Sequence, residues 1–522
     1  MGCPKVSRVP VRQITACALL IGVLALSACA SLPSLDGRPV TTALTDTSAT
    51  TLARSIAPEL VAHPGKSGIH TLQVPRDAFA ARGLLAGIAE RSIDVQYYIW
   101  HEDHTGVLLF EALWKAAERG VRVRLLLDDI NTSGLDDTIA ALDAHENIEV
   151  RLYNPFTNRS ARVFNYIGDF SRVNRRMHNK SFTVDNQATI VGGRNVGDEY
   201  FGAGEGVAFA DLDVVAIGPI VSEVSSEFDR YWNSASAYPA ALLITKKDPA
   251  RAGRLQTQFA ATRADPESKE YLESLARTEF ITALEEQRMK YEWTDARVVS
   301  DDPAKTLDKE NRSDFLLLPK MLEALGPPSK SFDLISPYFV PGKDGTASLQ
   351  KLARGGIKVR ILTNSLESTD VGAVHAGYAK RRKALLDSGI QLFELKHGDA
   401  PVDPQGKGSR GSSSASLHAK TFALDSERAF VGSFNFDPRS AMLNTEMGVI
   451  FSSRELGEQL SGAFDTEVPR HAYEVRLTDG GDVVWIEQTP AGEKRYDSEP
   501  GVGFFRRMSV GFLSILPIDW LL

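Results

Sequence analysis

The motif His-x-Lys-x-x-x-x-Asp occurs twice in this chain. His178, Lys180 and Asp185 form one copy in "HNKSFTVD", and His418, Lys420 and Asp425 form the other in "HAKTFALD". Asn195 and Asn435 follow at equal distances from their histidines, each three residues after a glycine, Gly192 or Gly432. The offset from His178 to His418 is 240 residues, and so is that from Asn195 to Asn435. In an extended segment the His and Lys of each copy, two apart, share a face. Two imidazoles can divide nucleophilic and acid–base work. Two ammonium groups and two amides can hold the charged oxygens of an anionic ester without a metal or cofactor.

The elements around these residues repeat as well. A buried strand "SIDVQYYI" (92–99), an amphipathic helix (106–120) and a strand "VRVRLLLDD" (121–129) precede the first motif. "FDLISPYFV" (332–340), "GTASLQKLARGG" (345–356) and "IKVRILTNS" (357–365) precede the second, and each half has a third strand at 148–154 or 390–396. Strand–helix–strand order implies βαβ units and a mainly parallel sheet in each half. The expected fold is therefore α/β, with two pseudo-twofold-related domains, each a mainly parallel or mixed sheet flanked by helices, and the active site at their interface.

The doubled motif with its Gly-x-x-Asn tail resembles the phospholipase D superfamily, over most of residues 70–465. The "YYIW" (97–100) and "SPYFVP" (336–341) stretches and the C-terminus are most similar to the bacterial cardiolipin synthase C group. That resemblance implies phosphodiester chemistry through a phosphohistidine. His178 is the expected nucleophile. His418 is then the acid that protonates the leaving oxygen and later the base on an incoming hydroxyl. Lys180, Lys420, Asn195 and Asn435 would hold the nonbridging oxygens. Each histidine also wants a carboxylate on its other ring nitrogen. Glu446 is expected to serve in the second half and Asp213 in the first, with Asp211 as the fallback. Asp185 and Asp425 belong to the signature but are expected to brace the loop.

The implied reaction is phosphatidyl transfer. Phosphatidylglycerol and a second phospholipid, phosphatidylethanolamine among them, would give cardiolipin or a related lipid. With water as acceptor the same site would be a phospholipase D making phosphatidic acid. A nuclease and a non-catalytic lipid-binding lipoprotein are the further alternatives.

Composition and the N-terminus bear on that choice. The 522 residues, 43% hydrophobic and 24% charged, are ordinary globular material. The net charge is −8 and all three cysteines (Cys3, Cys17, Cys29) lie within the first 29 residues. A basic start (Lys5, Arg8, Arg12), a thirteen-residue apolar stretch and "LSAC" read as a lipoprotein signal over 1–28, with acylated Cys29 as the membrane anchor. The competing reading is a plain secretory peptide. Ala30 after the cysteine resembles outer-membrane sorting, which places the protein in the bacterial envelope facing the periplasm. Removing the signal takes away three basic and no acidic residues and leaves −11. No nucleic-acid partner is expected of such a chain.

The expected layout is a tether at 29–66, a first domain at 67–235, a partly helical connection at 236–320, a second domain at 321–470 and an extension at 471–522. Low-complexity 401–416 reads as a surface loop or a lip beside the site. Arg172, Arg175 and Arg176 read as a solvated basic loop. His101 and His104 read as a loop at a strand end, with Thr105 capping the next helix rather than a metal pair. The apolar C-terminus is broken by Arg506, Arg507, Pro517 and Asp519, so it reads as core packing, or else as a membrane-facing patch.

Overall fold

The computed structural model describes residues 31–203, 208–286, 288–397 and 415–515. The segment read as an export signal, Cys29 and most of the 401–416 loop lie outside the described residues.

Each half builds one mixed sheet around three parallel strands. In the first these are β2 (Ser92–Tyr97), β3 (Arg122–Asp128) and β4 (Ile148–Tyr153). In the second they are β12 (Ser331–Ile335), β13 (Lys358–Asn364) and β14 (Gln391–Leu395). β12 is shorter than the expected strand, because Ser336 and Pro337 begin a loop toward the site. Three antiparallel strands continue each sheet: β5 (Ser181–Val184), β6 (Ala188–Gly192) and β8 (Asp213–Ile217) in one. Their counterparts are β16 (Thr421–Leu424), β17 (Arg428–Gly432) and β18 (Met447–Ser452). The six-strand orders, β8-β6-β5-β2-β3-β4 and β18-β17-β16-β12-β13-β14, are the same. β2 is buried along its whole length: Ile93, Val95 and Tyr97 pack in the core with helix His104–Glu118, while Asp94 and Gln96, on the other face, bond to Arg124 and Ser181.

The antiparallel halves also make the domain interface. Val191, Val214 and Ala216 of the first sheet pack in one cluster with Ala429, Val431, Met447 and Val449 of the second. Burying these faces against each other docks the two domains and sets where their loops meet.

One segment differs from expectation. The tether is packed down: Arg38 donates to the carbonyls of Ser234, Ala237 and Asn233. Helix Thr51–Ala62 then buries Leu52, Ala53 and Ile56 against the first domain. The connection does more than link. Its helices from Arg251 to Glu285 cover the first core, while β10 (Glu292–Thr294) edges the first sheet and β11 (Ala296–Ser300) the second. In the extension, Ala472–Leu477, Val483–Thr489 and Gly492–Tyr496 add three strands beyond β14.

Candidate active site

β5 begins at Ser181 and β16 at Thr421, so each His-x-Lys is the extended approach to its strand rather than part of it. The opposite domain fixes that approach. His178 N donates to Thr445 O (2.8 Å), and Thr445 N donates back to Arg176 O (2.8 Å). Likewise His418 N and Ala419 N both donate to Ala210 O (2.9 Å), where β7 (Ala208–Ala210) pairs in parallel with β15 (Ala415–Leu417). Two cross-domain backbone clamps thus hold the two histidines.

The carboxylates cross over as well. His178 Nδ1 donates to Glu446 Oε2 (2.8 Å), with Ser433 O as a second acceptor (3.2 Å). His418 Nδ1 donates to Asp211 Oδ2 (2.5 Å). Occupying Nδ1 fixes the tautomer and presents Nε2 for chemistry. Glu446 also accepts from the Ser433 and Ser440 hydroxyls, and its backbone N–H donates to buried Asp301 (2.7 Å), which in turn pairs with buried Lys305 (3.0 Å).

The expectation for Asp213 is corrected. Asp213 is fully buried and pairs with Arg82 (2.8 Å) and Arg194 (3.5 Å), away from either imidazole. Strand register shows why. Gly192 lies opposite Asp213, and Gly432 lies opposite Gly448, so Asp213 is the counterpart of Gly448 and Asp211 that of Glu446. Asp211 takes the place expected of Asp213. The legible signal was "DLDVV" beside "EMGVI", at an offset of 235 rather than 240.

The lysines lie alongside. Lys180 Nζ donates to His178 O (2.5 Å) and stands 5.5 Å from the Tyr98 ring centre, while Lys420 Nζ donates to His418 O. The Tyr98 ring meets His178 edge-on at 4.9 Å, and Tyr200 meets His418 at 5.3 Å. Asn195 accepts from Ile99 N (3.2 Å) and donates to the Tyr200 hydroxyl (3.1 Å). Buried Asn435 has an Oδ1 without a hydrogen-bond partner among the described residues.

Burial dominates the electrostatics. It pushes Lys180 down to about 7, helped by Lys420, and Lys420 down to about 8. Burial and then the two lysines hold His178 well below its ordinary value and His418 at about 4. Burial pushes Glu446 up to about 7. Burial alone would raise Asp211 too, but His418, Lys420 and Arg194 outweigh it and keep that carboxylate ionised. Without substrate, then, between about pH 4 and 7 both imidazoles are neutral beside two cations, a field that favours an incoming anion.

Asp185 and Asp425 sit at two-residue hairpin turns with positive φ (51° and 58°), at the far ends of β5 and β16 from the histidines. Asp185 accepts from the backbone N–H of Glu90, Arg91 and Ser92, and Asp425 from those of Ser329, Lys330 and Ser331. Each staples its hairpin to the start of the neighbouring parallel strand.

Other expectations shift. Arg176 is not solvated: it is fully buried and ion-paired with Asp128 (2.7 Å), and Arg175 is buried against carbonyls of Lys305 and Met442. Asp103, not Thr105, caps the helix after β2, accepting from Gly106 N. His101 pairs with Glu199 (3.2 Å) and His104 with Asp198 (3.3 Å). Sequence reasoning missed Ser433, Ser440, Asp301 and Lys305, which build the bed under Glu446.

Comparison with known proteins agrees with this layout. The family model described as "Cardiolipin synthase, PLD-like domain" matches twice, at residues 86–232 and 321–468. Cardiolipin synthase C of Escherichia coli K12 is 47% identical over 476 residues, covering 90% of this chain and 99% of that protein. An uncharacterised protein of Helicobacter pylori J99 is 32% identical over 478 residues, covering 90% and 92%. Among solved structures, phosphatidylserine synthase of Haemophilus influenzae superposes with a TM-score of 0.56 at 12% identity, covering 90% of this chain and 100% of that one, a likeness of fold.

Proposed function

This chain belongs to the cardiolipin synthase family of phospholipase D-like proteins, and we propose that it is a membrane-associated bacterial phosphatidyltransferase that makes cardiolipin or a related phospholipid. The observation that carries this reading is the crossed pair of His–carboxylate couples beside two buried lysines.

In the proposed reaction a phosphatidylglycerol or phosphatidylethanolamine headgroup ester binds with its nonbridging oxygens on Lys180 and Lys420. Its negative charge works against the burial and the lysine charges that keep His418 neutral, so His418 takes up a proton. Neutral His178 Nε2 attacks phosphorus. The bond to the headgroup oxygen breaks, and His418 gives that oxygen its proton, releasing glycerol or ethanolamine. The hydroxyl of a second phosphatidylglycerol then attacks the phosphohistidine, His418 takes the hydroxyl proton, and His178 leaves. Asp211, which stays ionised, supports the imidazolium at His418. Glu446, with its proton affinity raised, suits a histidine that must stay neutral to attack. We assign Asn195 and Asn435 to the phosphate as well, each through its side-chain amide N–H groups as donors. In this reading acylated Cys29 anchors the enzyme in the envelope, on the periplasmic side.

Purified protein incubated with phosphatidylglycerol, with and without phosphatidylethanolamine, tests the reading by chromatography. Cardiolipin is the expected product. Phosphatidic acid alone would make the chain a hydrolase, and no lipid product would overturn the assignment.

A further inference from the structure

The phenylalanines found exposed, Phe164, Phe170, Phe504 and Phe505, lie in two short segments. Phe164 and Phe170, with Val163, form the first; Phe504 (71% exposed) and Phe505 (79%), with Met508, form the second. The remaining exposed large hydrophobics are mostly scattered aliphatic residues such as Leu272 and Leu322, which any soluble surface carries.

Both patches are fastened to equivalent loops. β3 and β13 are the central parallel strands of their sheets, and their carboxyl ends lead into residues 129–132 and 365–371. Beside Val163, Arg162 donates to the carbonyls of Asp129 (2.7 Å) and Ile130 (3.0 Å). The next residue, Asn131, donates to Tyr98 O (3.2 Å), and the Tyr98 ring touches His178. In the second domain Arg506, beside Phe505, donates to Thr369 O (3.0 Å), and Val510 packs on Leu366 and Ala376. Next to Thr369, Asp370 accepts from the hydroxyl of Tyr338 (2.8 Å), the residue 240 positions after Tyr98, and its charge acts on Lys420. Carboxyl ends of parallel strands are where α/β sites open. The patches therefore stand on the two rims of the histidine site.

Charge indicates what covers the second patch; in the first, Arg159, Arg162 and Arg172 are paired with carboxylates. Arg506 and Arg507 bond only the carbonyls of Thr369 and Val502 and the Ser498 hydroxyl, and have no carboxylate partner among the described residues. Cations without counter-ions beside exposed aromatic rings make an interfacial anchor: the rings enter the acyl boundary and the guanidinium groups meet lipid phosphates. We propose that the two patches form a bilayer-docking face for an anionic lipid surface, one foot on each rim, which seats the histidines over the headgroup layer. This rests on the phosphatidyltransferase reading and adds how that site meets its substrate.

Amide hydrogen exchange of the full chain, with and without vesicles of phosphatidylglycerol and phosphatidylethanolamine, tests the docking face independently of turnover. Peptides covering 162–171 and 504–509 should both gain protection, while those around Leu272 and Leu322 do not. The second measurement is the ratio of turnover on vesicles to turnover on monomeric short-chain phosphatidylglycerol, which a loss of folded protein does not move. In Phe164→Ser/Phe170→Ser and in Phe504→Ser/Phe505→Ser it should fall by at least about tenfold, since each ring withdrawn from the lipid boundary is worth about that factor or more. Protection of only one segment, or of neither, overturns the proposal, as does an unchanged ratio in either double variant. A protein protected at both segments but inactive on all lipids would keep the docking face and remove the transferase reading instead.

Discussion

The two half-sites share one scaffold and differ at its most buried point. Around His178, Glu446 reaches past Ser433, takes hydroxyl bonds from Ser433 and Ser440, and rests on Asp301. Around His418, Asp211 is one methylene shorter and lies against Gly193, where a Cβ would come within 2.2 Å of its Oδ1. Gly193 and Ser433 are equivalent positions, 240 residues apart. A longer acid with a hydroxyl bed and a shorter acid against a glycine are two solutions to one problem, holding Nδ1. They leave the acids unlike: Glu446 pushed up to about 7 by burial, and Asp211 held ionised by His418, Lys420 and Arg194 against the burial that would raise it. A duplicated fold thus supplies two inequivalent histidines, as a mechanism with one nucleophile and one acid requires.

The largest effects should come from the histidines. His178→Ala and His418→Ala should each lower turnover by about 10⁴-fold or more, since each residue acts in both steps. They separate in a single-turnover experiment with labelled phosphatidylglycerol. His418→Ala should still accumulate some labelled enzyme, whereas His178→Ala should not; label retained in His178→Ala would exchange the two roles. Lys180→Ala and Lys420→Ala should follow, at about 10²–10³-fold in kcat/KM, as cationic holders of the phosphate. Equal losses would mean that the two lysines share the charge evenly.

The carboxylates come next and test the comparison most directly. Asp211→Asn and Glu446→Gln should each cost about 10–100-fold in kcat. Asp213→Asn should instead lower Tm while leaving kcat nearly intact, because it breaks a buried pair with Arg82 worth about 3–5 kcal/mol when one partner is removed. If Asp213→Asn lost activity without losing stability, Asp211 would not be the working acid.

The smallest effect is a displacement in pH. Lys180 at about 7 and Lys420 at about 8 lose their charge as pH rises, so kcat/KM should fall on the alkaline side beginning near 7. A bound phosphodiester anion favours the charged lysines and raises their values, so the alkaline limb of kcat should lie at higher pH than that of kcat/KM. Coincident limbs would remove the lysines as the titrating groups.

Much of this was open to a reader of the sequence. The 240-residue repeat, the two His-x-Lys sets, the asparagines and the parallel strands follow from residue identity and local periodicity, which the chain carries in any fold. The choice of Asp211 over Asp213 did not, because residues two apart on an extended segment share a face and pattern alone cannot rank them. Nor could sequence show that Glu446 of the second domain serves His178 of the first while Asp211 of the first serves His418. That exchange depends on the docking of two apolar sheet faces, Val191, Val214 and Ala216 against Val431, Met447 and Val449, which brings Thr445 onto His178 and Ala210 onto His418. Local spacing named the reacting groups; long-range burial, set by the whole surface of both domains, decided their partners.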